Sequence, residues 1–90
     1  MNGFTEFFLK DGALQIHTEC YNGTAMHYAD YVLTKENTLL LAERLNAGDA
    51  LIKFLTKNFS DGIGILNVLR GNAIPYVLIK KGFEDTSTDV

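Results

Sequence analysis

Two dipeptides, Asp11-Gly12 and Asn22-Gly23, constrain this chain more than any other feature of it. Asp-Gly and Asn-Gly tolerate the positive φ angles of a type I′ hairpin turn better than other pairs. Each lies between stretches rich in aromatic and β-branched residues. They predict three antiparallel strands over 4–10, 13–21 and 24–33, joined by two-residue loops. Lys10 then opposes Ala13, and Tyr21 opposes Thr24.

Strand side chains alternate faces, so this register sorts them. One face collects Thr5, Phe7 and Leu9, then Leu14, Ile16, Thr18 and Cys20, then Ala25, His27, Ala29, Tyr31 and Leu33. With His27 neutral it carries no charge. The other face collects Phe4, Glu6, Phe8 and Lys10, then Ala13, Gln15, His17, Glu19 and Tyr21, then Thr24, Met26, Tyr28, Asp30 and Val32. Every Asp, Glu and Lys of the three strands is on it. Both turns give this partition independently, and the uncharged face is the one helices should cover. Phe7, Leu14, Ile16, Ala29 and Tyr31 are the expected core of the sheet.

Helical spacing follows. Thr34 suits the N-cap of a helix over 35–45, with Glu36 in its first turn, where the helix dipole favours a carboxylate. Leu41 and Leu45 repeat at helical spacing, and Gly48 offers a left-handed end. Asp49 is the expected cap of a second helix reaching Phe59, with Leu51, Leu55 and Phe59 as its stripe. Ser60 or Asp61 caps a third, in which Ile63, Leu66 and Leu69 keep the spacing. Gly62 and Gly64 weaken that helix by roughly 1 kcal/mol each relative to alanine. Pro75 opens a fourth strand over 76–81, suited to an edge. Its neighbour, the first strand or the third, stays open.

The expected fold is α+β: a three-stranded antiparallel meander with a fourth C-terminal strand, and two to three helices on one face. A single domain over 1–83 is followed by a frayed acidic tail over 84–90. Ninety residues bury only roughly 60–65% of the unfolded surface, so a partner or a second copy adds needed stability.

A net charge of −3 argues against a binder of phosphate backbones, and no direct nucleic-acid binding is expected. An acidic protein competing for a basic groove is compatible with it. Cys20 is the single cysteine, so there is no disulfide framework and a reducing interior is the expected home. No basic stretch followed by an apolar one marks a signal peptide, and no apolar run approaches the roughly 20 residues of a membrane span. The expectation is a cytoplasmic protein that does not engage membranes.

Few residues suggest chemistry. Cys20 and His27 share the inner face as expected diagonal neighbours, and a small enzyme using this pair is one alternative. A nucleophile also needs an oxyanion hole and a group to orient its base, and a structural zinc needs four ligands. A buried thiol beside a histidine bonded to Thr18 or a backbone carbonyl accounts for both residues. No catalytic residue, metal or cofactor is therefore expected. His17 and Cys20 are three apart and point to opposite faces, so they cannot share a metal. Gly62-Ile63-Gly64 resembles the start of a dinucleotide fingerprint, but the third glycine is missing and a helix precedes it.

The outer face carries more weight. Phe4, Phe8, Met26 and Tyr28 form an apolar centre there, with Glu6, Glu19 and Asp30 around it. That is the anatomy of a protein interface, unless the third helix or the tail folds over it. His17, expected between Glu6 and Tyr28, offers hydrogen bonds to a polar ligand. A nucleotide signal held between subunits of an oligomer would use His17, Tyr28, Lys10 and Arg70.

In size, charge balance and hairpin-then-helices layout the chain resembles the small acidic α+β proteins that phages and plasmids use against host defence, anti-CRISPR proteins among them. The resemblance implies an inhibitor that occupies a surface of a host protein, or one that sequesters a nucleotide signal. The expected function is thus a small binding or inhibitory module, with a homodimer or higher oligomer as its assembly.

Overall fold

The structure is a computed structural model describing residues 2–85. It is α+β, with β1 (Asn2–Lys10), β2 (Ala13–Asn22), β3 (Ala25–Val32), α1 (Lys35–Arg44), a 3-10 turn at Gly48–Ala50, α2 (Leu51–Asn58), α3 (Gly62–Gly71) and β4 (Val77–Asp85). The strands form one antiparallel sheet in the order β1-β2-β3-β4. The fourth strand therefore lies beside the third. It runs past the expected end at Lys81 and takes in Glu84 and Asp85, which pair with Met26 and Ala25 instead of fraying. The rest of the expected tail, 86–90, lies outside the described residues.

The first turn is as expected. Asp11 and Gly12 have φ of 53° and 83°, and two positive angles in succession define type I′. The second turn is displaced by one residue. Asn22 pairs with Ala25, so Gly23 and Thr24 are the turn. Gly23 alone has positive φ, 65°, which is the type II′ pattern. A glycine in the first turn position meets that demand by itself and frees Asn22 to extend β2. The pairing thus slips by two residues, and Tyr21 opposes Met26 rather than Thr24. A two-residue slip leaves every side chain on its expected face.

Helix α1 starts as read. The Thr34 side chain accepts from Asn37 N at 3.1 Å. Its end does not: Asn46, with φ 54°, takes the left-handed position, and Gly48 opens the 3-10 turn. That turn runs straight into α2, so Asp49 has no break to cap, and Ala50 precedes α2 without a side-chain cap bond. Asp61 caps α3, accepting from Gly64 N at 2.8 Å. Within α3 the inward stripe is Ile65, Leu66 and Leu69, whereas Ile63 is 72% exposed. Gly62 sets this rotation by lying against Thr18, where a Cβ would come within 2.5 Å of the Thr18 methyl. Positions 62, 65, 66 and 69 then share the side facing the sheet.

The core gathers Phe7, Leu14 and Ile16 from the sheet with Leu33, Leu41, Leu51, Leu55, Ile65, Leu66, Leu69 and Ile74. The helices pack on β1 and β2. Ala29 and Tyr31, expected to be covered, are only half-buried, and Leu9 is 49% exposed beside the first turn. Three short helices do not reach across a sheet of this length.

Thr38 joins the layers. Its hydroxyl donates to Thr34 O at 2.8 Å and accepts from Leu14 N at 2.9 Å. The residue is 4% exposed. Replacing it with valine keeps the shape but strands the Leu14 amide, at an expected cost of about 1–3 kcal/mol. Thermal unfolding of Thr38→Val beside Thr38→Ser, which keeps the hydroxyl, measures it. Equal stabilities for the two variants would contradict this role.

Candidate binding face

The outer face of the sheet is built in cross-strand rows. Phe8, Gln15, Val32 and Val77 form one, and Glu6, His17, Asp30 and Lys80 the next. Phe4, Glu19, Tyr28 and Gly82 form a third. All the described helices lie on the other side, with Leu14 and Ile16. Phe4 is 38%, Phe8 43% and Val77 60% exposed.

Charge holds the centre of this face. His17 Nδ1 lies 2.5 Å from Asp30 Oδ1, and its Nε2 lies 2.7 Å from Glu19 Oε2. A neutral imidazole donates from one nitrogen only, so two carboxylate acceptors select the imidazolium. Burial pulls the His17 pKa down, but the hydrogen bonds to Glu19 and Asp30 outweigh it and hold the pKa above the ordinary 6.5. The other Glu19 oxygen accepts from the Tyr21 hydroxyl. That bond first, and His17 second, hold the Glu19 carboxyl below its ordinary 4.5. The Phe4 ring flanks the network, 6.1 Å from the His17 ring and 6.5 Å from that of Tyr21.

The two shifts set a pH window. The His17 contribution is fully present below pH 6.5 and is lost as pH rises through the higher folded-state value. The Glu19 contribution is present above pH 4.5 and is lost as pH falls through its lower folded-state value. Stability should therefore fall on raising the pH above 6.5, and His17→Gln should flatten that fall. Titration of the His17 ring resonances by NMR gives the direct check. A midpoint at or below 6.5 contradicts the network.

Glu19 and Asp30, expected as an exposed acidic surround, are instead half-buried and turned onto His17. His17 stands between Glu6 and Asp30, not between Glu6 and Tyr28, because of the two-residue slip. Tyr28 is half-buried and lies over Gly82, whose backbone leaves room for the ring, and the Lys80 ammonium sits 5.7 Å from the ring centre. Met26 is half-buried one row nearer the second turn, and Glu6 is exposed. Val77, Lys80 and Gly82 were missed as parts of this face. Local pattern carried no signal of where β4 docks.

The ligand set His17, Tyr28, Lys10 and Arg70 is not brought together. The Arg70 guanidinium lies 5.9 Å over the Tyr76 ring, which packs edge-on against Tyr31 on the helix side. Lys10 is exposed at the first turn. Cys20 directly opposes His27 rather than standing diagonal to it. His27, expected to bond to Thr18 or a backbone carbonyl, is instead exposed and packs on Phe83, ring centres 4.8 Å apart. The Thr18 hydroxyl donates instead to Ala29 O at 3.1 Å. A groove of about 440 Å³ runs between the start of α3 and the sheet, past Thr18, Cys20, Tyr31, Asp61, Ile63 and Leu66. Among the described residues no group of three or more His, Cys, Asp or Glu is placed to hold a metal ion.

The class defined here is an α+β protein with helices on one side of a four-stranded meander and an aromatic, charge-laddered face on the other. Compared with protein-family models, curated proteins and solved structures, the chain matches none of them. Among the described residues no helix is long and apolar enough to cross a membrane.

Proposed function

We propose that this chain is a binding module that modulates or inhibits a protein partner by laying the outer face of its sheet on the partner's surface. The observation that carries the proposal is Phe4 and Phe8, 38% and 43% exposed on a face that no described helix covers. Aromatic anchors beside fixed polar groups are what interfaces use. The Asp30–His17–Glu19–Tyr21 network holds its side chains in place before any partner arrives, which lowers the entropy cost of binding. The net charge of −3 suits a basic partner surface. Inhibition of a host defence protein, as in the anti-defence proteins the chain resembles, is the form of this function proposed for it.

The test is affinity capture from a host extract with the wild-type chain and a Phe4→Ser/Phe8→Ser variant side by side. The expected result is a protein retained at constant stoichiometry by the wild type and released by the variant, with both chains equally folded by circular dichroism. Equal retention by both removes the outer face from the function.

A further inference from the structure

Strand β4 is an open edge of the sheet, and all its residues except the half-buried Gly82 are exposed. Phe83 is 56% exposed, on the inner face beyond the helices. Edge strands of this length invite pairing with another chain, and proteins commonly blunt them with lysines and bulges. Both devices are present here. Pairing passes from Asp30↔Lys80 to Tyr31↔Leu78, which leaves Ile79 as a bulge. Beyond the bulge, Lys80 to Asp85 pairs regularly with β3. This regular part reads Lys-Lys-Gly-Phe-Glu-Asp, cationic at one end and anionic at the other.

We infer that β4 is a self-pairing edge: two copies of this chain join their β4 strands antiparallel across a two-fold axis at Gly82, making one continuous sheet. Such an axis stands perpendicular to the sheet, so each residue meets a residue of its own face. With Gly82 on the axis, Lys80 of each copy opposes Glu84 of the other. The row Glu6, His17, Asp30, Lys80 already alternates in charge with His17 protonated, and Glu84 of the second copy continues the alternation. Tyr28 explains the glycine at the axis. Each Tyr28 ring occupies the space above its own Gly82, where a Cβ would collide with it. Two facing glycines leave room for both rings.

The lysines act as a filter on register. Centring the axis on Lys81 sets Lys81 against itself, and like charges directly opposed are unfavourable. Centring on Phe83 moves Glu84 opposite Gly82 and away from Lys80, and sets Lys81 against Asp85, whose carboxylate already accepts from the Thr24 hydroxyl at 3.2 Å. This assembly does not rest on the outer face as a partner-binding surface. Phe4 and Phe8, which carry that surface, take no part in the β4 pairing, and the two have separate tests.

Sedimentation equilibrium of the full chain tests it, with Glu84→Lys as the main variant. Across β3, Glu84 pairs with the uncharged Met26, with Tyr21 the next in the row, so the change should leave the fold intact, which circular dichroism verifies. The wild type is expected to form a species of twice the 10.0 kDa chain mass. Glu84→Lys should weaken it by about tenfold or more, since two like-charged pairs replace two complementary ones. Phe8→Ser should leave it unchanged. Carbodiimide cross-linking of mixed light and heavy isotope-labelled chains should yield a mixed Lys80–Glu84 link. Within one chain these residues stand about 13 Å apart along the strand, too far for a zero-length bond. A monomer at every concentration, a dimer indifferent to Glu84→Lys, or no mixed link overturns the inference.

Discussion

Replacing Ile16 with alanine should lower the unfolding free energy by about 2–5 kcal/mol. Ile16 is 0% exposed at the middle of β2, between Phe7 of β1 and Tyr31 of β3. Truncation removes apolar atoms from water-free packing and leaves a cavity that neighbouring strands cannot close without breaking their own pairing. A domain of this size has a total stability on the order of 5–15 kcal/mol, so the loss is a large share of it. Urea unfolding at constant pH measures the effect. A change below about 0.5 kcal/mol, ordinary for a surface residue, would place Ile16 outside the core. The same substitution at Gln15, on the opposite face and half-buried, serves as the contrast.

Phe8→Ser should have the converse signature. Phe8 is 43% exposed, so its loss changes stability far less than that of Ile16. Its effect should fall on the partner, where a central aromatic anchor contributes roughly 2 kcal/mol, about a thirtyfold change in affinity. Calorimetric titration with the captured partner measures it. Unfolding of the isolated chain by Phe8→Ser would show that this face is an internal one. An unchanged affinity would remove Phe8 from the interface. Tyr28 is a poorer probe, because its ring also covers Gly82 and its removal disturbs the β3–β4 pairing.

The two substitutions rest on a face assignment legible from sequence, and its durability has a simple cause. The second turn slipped from Asn22-Gly23 to Gly23-Thr24 and the pairing moved by two residues. Side-chain alternation has a period of two, so Phe7, Leu14 and Ile16 stayed inside and Phe4 and Phe8 outside. Pairings were less robust than faces. His17 met Asp30 instead of Tyr28, and Cys20 met His27 squarely. Helix starts with a side-chain cap, Thr34 and Asp61, were also readable. Asp49 was not, because a cap needs an interruption in the chain that a leading 3-10 turn removes.

Local signals in the chain were enough for one hairpin turn, the alternation of faces, two helix caps and the class of fold. These depend on a few adjacent φ and ψ angles and on a short repeat of polarity. Packing in three dimensions was needed to dock β4 beside β3, to stop the helices over β1 and β2, to set Arg70 across the sheet from His17, and to turn Glu19 and Asp30 onto His17. Each of those joins residues far apart in the chain. Their energies come from long-range burial and cross-strand charge, which no local pattern records.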